Sequence, residues 1–123
     1  MTCKDLTAYR TAAGYIAALM QERDCLRAAL CVSPVSDTER HRHDSRLADI
    51  DRHISELTVH RERIYRFVTE RAPADDKLVA TAMYWHFIQG ESWRRAGLRI
   101  GSTAAGCRMM VKRYLQAFDN LGF

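Results

Sequence analysis

Leu47, Ile50, Ile54, Leu57, Arg61, Ile64 and Val68 follow one another at alternating steps of three and four residues. That spacing lays side chains in one stripe along an α-helix, interrupted here only by Arg61. An earlier run over residues 3–31 carries Leu6, Tyr9, Ala13, Ile16 and Met20 at three- and four-residue steps, and then Leu26 and Leu30 four apart, which predicts a first helix. Thr2 followed by Asp5 offers that helix a capping box. The run Cys31-Val32-Ser33-Pro34-Val35 should end it, because proline disfavours helical backbone in the residue before it. Ser36 followed by Glu39 offers a second capping box, and Arg40-His41-Arg42-His43-Asp44 is too polar to bury, so it is a loop or a solvated first turn. Ala72-Pro73 is expected to terminate the second helix. Two long amphipathic helices with a short polar linker predict an antiparallel hairpin over 1–72, either complete in itself or dimerising through residual apolar surface.

Shorter elements follow. Asp75 or Asp76 can cap a third helix over about 76–89, with Leu78, Val79, Ala82, Met83, Trp85 and Phe87 as its bulk. Gly90 suits the left-handed position that ends a helix. Ser92 can cap a fourth helix, Trp93 to Ile100, which Gly101 closes. Thr103 can cap a fifth, reaching about Asn120. No strand alternation, repeat or low-complexity tract interrupts this pattern. The expected fold is all-α, an N-terminal antiparallel long-helix hairpin (1–72) followed by a C-terminal trihelical helix-turn-helix domain (73–123).

Composition changes this picture little, but charge changes it considerably. The 123 residues are 47% hydrophobic and 28% charged, with no apolar run long enough to span a membrane. The polar start MTCKDLTAYR is unlike a signal peptide, which predicts a cytoplasmic protein without membrane association. The four cysteines lack CxxC spacing, and three are expected at buried helical positions as small hydrophobes. Residues 1–90 hold thirteen Lys/Arg and thirteen Asp/Glu, whereas 91–115 hold six basic residues against Glu91 alone. The net charge of +4 therefore resides in one short segment, and a local excess of that kind attracts polyanions.

That segment also carries a recognisable arrangement. A helix-turn-helix needs a small residue in its first helix, where the second crosses closely, and a glycine four residues later for the turn; Gly97 and Gly101 supply them. Ala96, Ile100, Cys107 and Met110 should face the core. The second helix then turns Thr103, Ala104, Ala105, Arg108, Met109 and Lys112 outward. Small residues near its start allow close approach to base edges, Arg108 suits guanine, and Met109 or Ala105 suits a thymine methyl. Arg94, Arg95, Arg99, Lys112 and Arg113 flank the groove where phosphates would lie. Amides at the start of the fifth helix offer one more phosphate contact.

The run GESWRRAGLRIGSTAAGCRMMVKRYLQAF resembles, without a gap, the helix-turn-helix of small phage and mobile-element regulators related to sigma-factor region four. Gly90, Ser92, Trp93, Gly101, Lys112, Arg113 and Leu115 match that pattern outright, and Ile100 and Thr103 match conservatively. The likeness continues loosely upstream through Asp75-Asp76 and Tyr84-Trp85-His86-Phe87-Ile88-Gln89-Gly90, so it covers most of the chain with its specific part in the last third. It departs at Ala96, where the pattern has a bulky apolar residue, at Gly97 in place of alanine, at Arg94 and Arg95 in place of acidic residues, and at Gly106 inside the recognition helix. The resemblance implies a DNA-binding transcriptional regulator with its recognition helix (about 103–119) in the major groove. Its partners would be double-stranded DNA and, through the hairpin, RNA polymerase or another host protein, or a second copy in a homodimer.

An alternative belongs to another class: a phage-encoded protein-interaction module or inhibitor, such as an antagonist of a host defence nuclease, using the basic face or the hairpin. Ala96-Gly97, which leaves the supporting helix thin, motivates it. His41, His43 and Asp44 lack a partner at metal-ligand spacing and fit a polar segment better than a metal site. His53 and His60 lie seven apart beside the apolar seam. Cys107 has no base near it in sequence, and Trp93 fits a core anchor better than a stacking platform. No phosphate-binding glycine loop, nucleophile elbow or catalytic carboxylate pair is present, so neither an enzyme nor a cofactor is expected.

Overall fold

The structure, a computed structural model, describes residues 1–32 and 36–120, all of whose regular elements are helical. Helix α1 spans Cys3–Val32 and α2 spans Asp37–Arg66. A π-helical segment, Phe67–Arg71, and helix α3, Ala72–Asp75, continue α2. Then come α4 (Lys77–Met83), a second π-helical segment (Tyr84–Ile88), α5 (Trp93–Arg99) and α6 (Ala104–Asn120). Among the described residues no helix is long and apolar enough to cross a membrane.

Helix α1 opens as its sequence predicts. The Thr2 amide donates to Asp5 Oδ2 at 2.9 Å while the Asp5 amide donates to Thr2 Oγ1 at 3.2 Å, a reciprocal capping box. The Ser33-Pro34-Val35 stop lies outside the described residues. Helix α2 starts at Asp37, with the Glu39 amide donating to Ser36 Oγ at 3.2 Å, so the His41–Asp44 stretch is helical and exposed apart from half-buried His43.

The expected stop at Ala72-Pro73 does not occur. Proline within a helix clashes with the carbonyl four residues back and cannot donate to it. The π-turn before Pro73 widens the backbone, and the Ala72 amide donates five residues back to the Phe67 carbonyl. Helical geometry then runs to Asp75 and stops at Asp76, whose backbone is extended (φ −156°). Asp76 Oδ1 accepts from the amides of Leu78 (3.0 Å) and Val79 (3.2 Å) and so starts α4.

Packing groups the chain into two units, Met1–Thr11 with Arg61–Phe123, and Ala12–His60. A cut between 72 and 73 is therefore not where the packing divides, because the start of α1 and the end of α2 belong with the C-terminal helices. Within Ala12–His60, Ala12 and Ile50 are buried and Ile16, Leu19, Leu26, Leu30, Leu47, Ile54 and Leu57 half-buried, while Met20 of the predicted stripe is exposed. Arg46 Nε and Nη2 each donate to the Glu22 carboxylate at 2.8 Å, and Arg23 lies 3.6 Å from Asp51. Three of the four cysteines, Cys3, Cys25 and Cys31, are exposed rather than buried, because they lie off the covered stripe of α1; only Cys107 is enclosed.

The other unit holds the main core. Leu6 of α1 and Ile64, Phe67 and Val68 meet Val79, Met83 and Phe87 from the α4 region, together with Cys107, Val111 and Leu115 of α6. Arg61, the polar member of the α2 seam, donates from Nε to the Tyr9 carbonyl at 3.0 Å and lays its guanidinium 4.2 Å from the Tyr9 ring centroid. A charged side chain is tolerated in the seam because its stem packs while its head finds an acceptor and an aromatic face. Phe118 meets Phe67 edge-on at 4.9 Å, and Tyr114 donates its hydroxyl to Asp75 Oδ2 at 2.7 Å, tying α6 to the end of α3. Burial, then that hydrogen bond, raises the Tyr114 pKa.

Candidate nucleic-acid interface

The segment from Ser92 to Thr103 begins with a cap and ends with one. Ser92 Oγ accepts from the Arg95 amide at 3.2 Å, and Thr103 Oγ1 accepts from the Gly106 amide at 3.0 Å. Gly106, placed inside the recognition helix by the sequence, thus falls in its first turn. Helix α5 closes through Gly101, at φ +72°. The Ser102 amide donates to the Gly97 carbonyl at 2.7 Å and the Gly101 amide to the Leu98 carbonyl at 3.3 Å, the bonding of a glycine-closed helix end.

Gly97 is required by what lies against it. A β-carbon there would stand 2.8 Å from the Thr103 carbonyl oxygen and 3.0 Å from that of Ser102. The chain entering α6 passes over α5 at this point, so the substitution of glycine for alanine reflects a tight crossing rather than a thin helix. Ala96 is completely buried beside it, as is Cys107, while Ile100 and Met110 are half-buried against the core. Burial raises the Cys107 pKa, which disfavours its thiolate.

Thr103, Ala104, Ala105, Arg108, Met109 and Lys112 are all exposed, as are Arg94, Arg95 and Arg113. Among the described residues none of Arg94, Arg95, Arg108, Lys112 and Arg113 takes part in an ion pair. Arg99 differs from these expected phosphate contacts. Its Nε and Nη2 donate to both Glu91 oxygens at 2.8 Å, and its guanidinium lies 3.5 Å from the Trp85 ring centroid. The pair lowers the Glu91 pKa and raises that of Arg99. Arg99 thus clasps the loop before α5 to the end of α5, and Glu91, the one acid in the basic segment, is neutralised internally.

Behind α5 lies an aromatic stack that sequence reasoning resolved only in part. Trp93 is half-buried against the core and stacks on His86 at 3.7 Å. His86 Nδ1 donates to the Glu91 carbonyl at 2.7 Å, which fixes the ring nitrogen that carries the proton. Burial, followed by the positive charge of Arg108, lowers the His86 pKa against that hydrogen bond. A π-turn shapes this corner: the Gln89 amide donates to the Tyr84 carbonyl at 3.0 Å and the Glu91 amide to the Trp85 carbonyl at 2.9 Å, around Gly90 at φ +76°. No sequence periodicity signals the Arg99–Glu91–Trp85 clasp, because it joins residues across a turn.

The described residues contain no group of three or more His, Cys, Asp or Glu side chains placed to hold a metal. His41 is exposed and His43 half-buried near the start of α2; His53 is exposed and His60 half-buried further along it. Compared with protein-family models, curated proteins and solved structures, the chain matches none.

Proposed function

We propose that α5, the Gly101 turn and α6 form a helix-turn-helix that binds double-stranded DNA, and that the protein is a transcriptional regulator of the phage or mobile-element kind its sequence resembles. The observation that carries this reading is the exposed face of α6. It offers small residues (Thr103, Ala104, Ala105) at its start, Arg108 and Met109 one turn on, and flanking cations that, among the described residues, have no carboxylate partners. Small side chains allow the helix start to approach base edges, while Arg108 matches the guanine edge and Met109 a thymine methyl. Arg94, Arg95, Lys112 and Arg113 supply backbone affinity. The tight crossing at Gly97 adds support, because it gives a packing reason for glycine at one of the two small positions, Ala96 and Gly97, that motivated the alternative. The pairing of α1 with α2 is read as a hairpin that dimerises or contacts RNA polymerase.

Fluorescence-anisotropy titration of the full chain against duplex DNA from a candidate promoter, at stepped salt, tests the reading. Binding should weaken steeply with salt, and Arg108→Ala with Lys112→Ala should weaken it further. Absence of salt-sensitive binding, or a double variant that binds like the parent, overturns it.

A further inference from the structure

The basic segment accounts for the net charge, yet one cation from the other end of the chain stands beside it. Arg10, in α1, lays its guanidinium against Gly90 in the space that a β-carbon would fill. Gly90 has φ +76° and no side chain, and both properties leave room for that approach. Arg10 is exposed and, among the described residues, has no ion pair. With Thr7, Thr11, His86, Phe87 and Glu91, it lines an open cavity of about 280 Å³.

Arg10 is the arginine in the lining of this cavity. Glu91 is its one carboxylate and is held by both nitrogens of Arg99. Arg95 is close enough to act on Glu91 electrostatically, and Arg108 acts likewise on His86. Arg10 thus stands at Gly90-Glu91, the stretch that leads into α5 at its Ser92 cap. The Thr7 hydroxyl is committed to the Cys3 carbonyl, whereas among the described residues no hydrogen bond engages the Thr11 hydroxyl.

We infer that Arg10, which shares this cavity with Thr11, is a phosphate-binding site through which α1 joins the DNA interface, gripping the duplex backbone next to α5. This inference rests on the proposed DNA binding and adds to it a contact from the helix that the sequence assigned wholly to the hairpin. A phosphodiester oxygen fits the site because the guanidinium fork donates to it in pairs and the threonine hydroxyl supplies a further donor. Such a contact sets affinity and register without reading sequence.

The test compares full-length Arg10→Ala, Arg10→Lys and Lys112→Ala with the parent protein on two duplexes of unrelated sequence. Log affinity is followed against log salt, and circular-dichroism melts check folding. One lost phosphate contact should reduce the slope by about 0.9, which corresponds to binding about eightfold weaker near 0.1 M salt and converging toward the parent near 1 M. Arg10→Ala should show this loss on both duplexes, and Arg10→Lys should recover most of the slope. If the parent and Lys112→Ala behave as described but Arg10→Ala keeps the parental slope, this site is wrong while the DNA reading stands. A parent that binds neither duplex in a salt-sensitive way overturns both. Should Arg10→Ala melt early, Arg10→Gln decides: a slope lowered by about 0.9 with parental melting supports the site, and a parental slope refutes it.

Discussion

Two glycines show how a residue's surroundings reverse the meaning of its identity. Gly14 lies in the interior of α1 with nothing within 4 Å of where a β-carbon would stand, so alanine there should stabilise the protein by about 0.5–1 kcal/mol through lower backbone entropy of the unfolded chain. Gly97 is also helical, yet its β-carbon position is closed by the Thr103 carbonyl at 2.8 Å. Gly97→Ala should therefore destabilise by about 1–3 kcal/mol, the cost of forcing packed backbone apart. Urea melts of the two variants should move in opposite directions. His86 offers a pH readout at the same scale. Its folded pKa lies below the ordinary value of about 6.5, so the unfolded chain takes up its proton first as pH falls. The stability linked to neutral His86 is present above about pH 6.5 and is lost as pH drops through its folded pKa. His86→Gln should flatten that part of the stability–pH curve, measured by melts between about pH 5 and 8.

At the scale of the element, the ends were more legible than the interiors. Thr2, Asp76, Ser92 and Thr103 each accept the amide bonds that their residue types suggest, because a cap needs only a short polar side chain and its own next turn. Asp76→Ala should cost about 1 kcal/mol in thermal or denaturant melts, since two α4 amides lose their acceptor. An Asp76→Asn variant should retain most of that stability, because the amide oxygen still accepts. Proline was the misleading signal. Its effect on a helix depends on whether the preceding turn can widen, and the π-segment Phe67–Arg71 widens it. The wheel of α6 was legible at both faces: Ala105, Arg108 and Lys112 are exposed, while Cys107, Val111 and Leu115 are buried at steps of four. The cysteines of α1 show the limit of residue type alone, since a small apolar side chain is buried only where a neighbouring element covers it.

For the whole molecule, the consequence lies in how six similar cations divide their work. If the proposed DNA binding holds, Lys112→Ala should reduce the slope of log affinity against log salt by about 1, as for a lost phosphate contact. Arg99→Ala should leave that slope near the parental value while lowering the melting temperature, because Arg99 already holds Glu91 and covers Trp85. Anisotropy titrations paired with thermal melts separate the two outcomes. Sequence alone determined the helical class, the positions of the caps, the glycine turn at Gly101 and the concentration of charge in 91–115, all of which depend on local spacing or on counting. Only the tertiary structure decided that α1 and α2 contribute residues to the C-terminal core, that Gly97 must be glycine, and that Arg99 is engaged while Arg10 stands beside the basic face. Those outcomes depend on contacts between residues far apart in the chain, such as Arg10 with Gly90, and periodicity within a single helix holds no record of them.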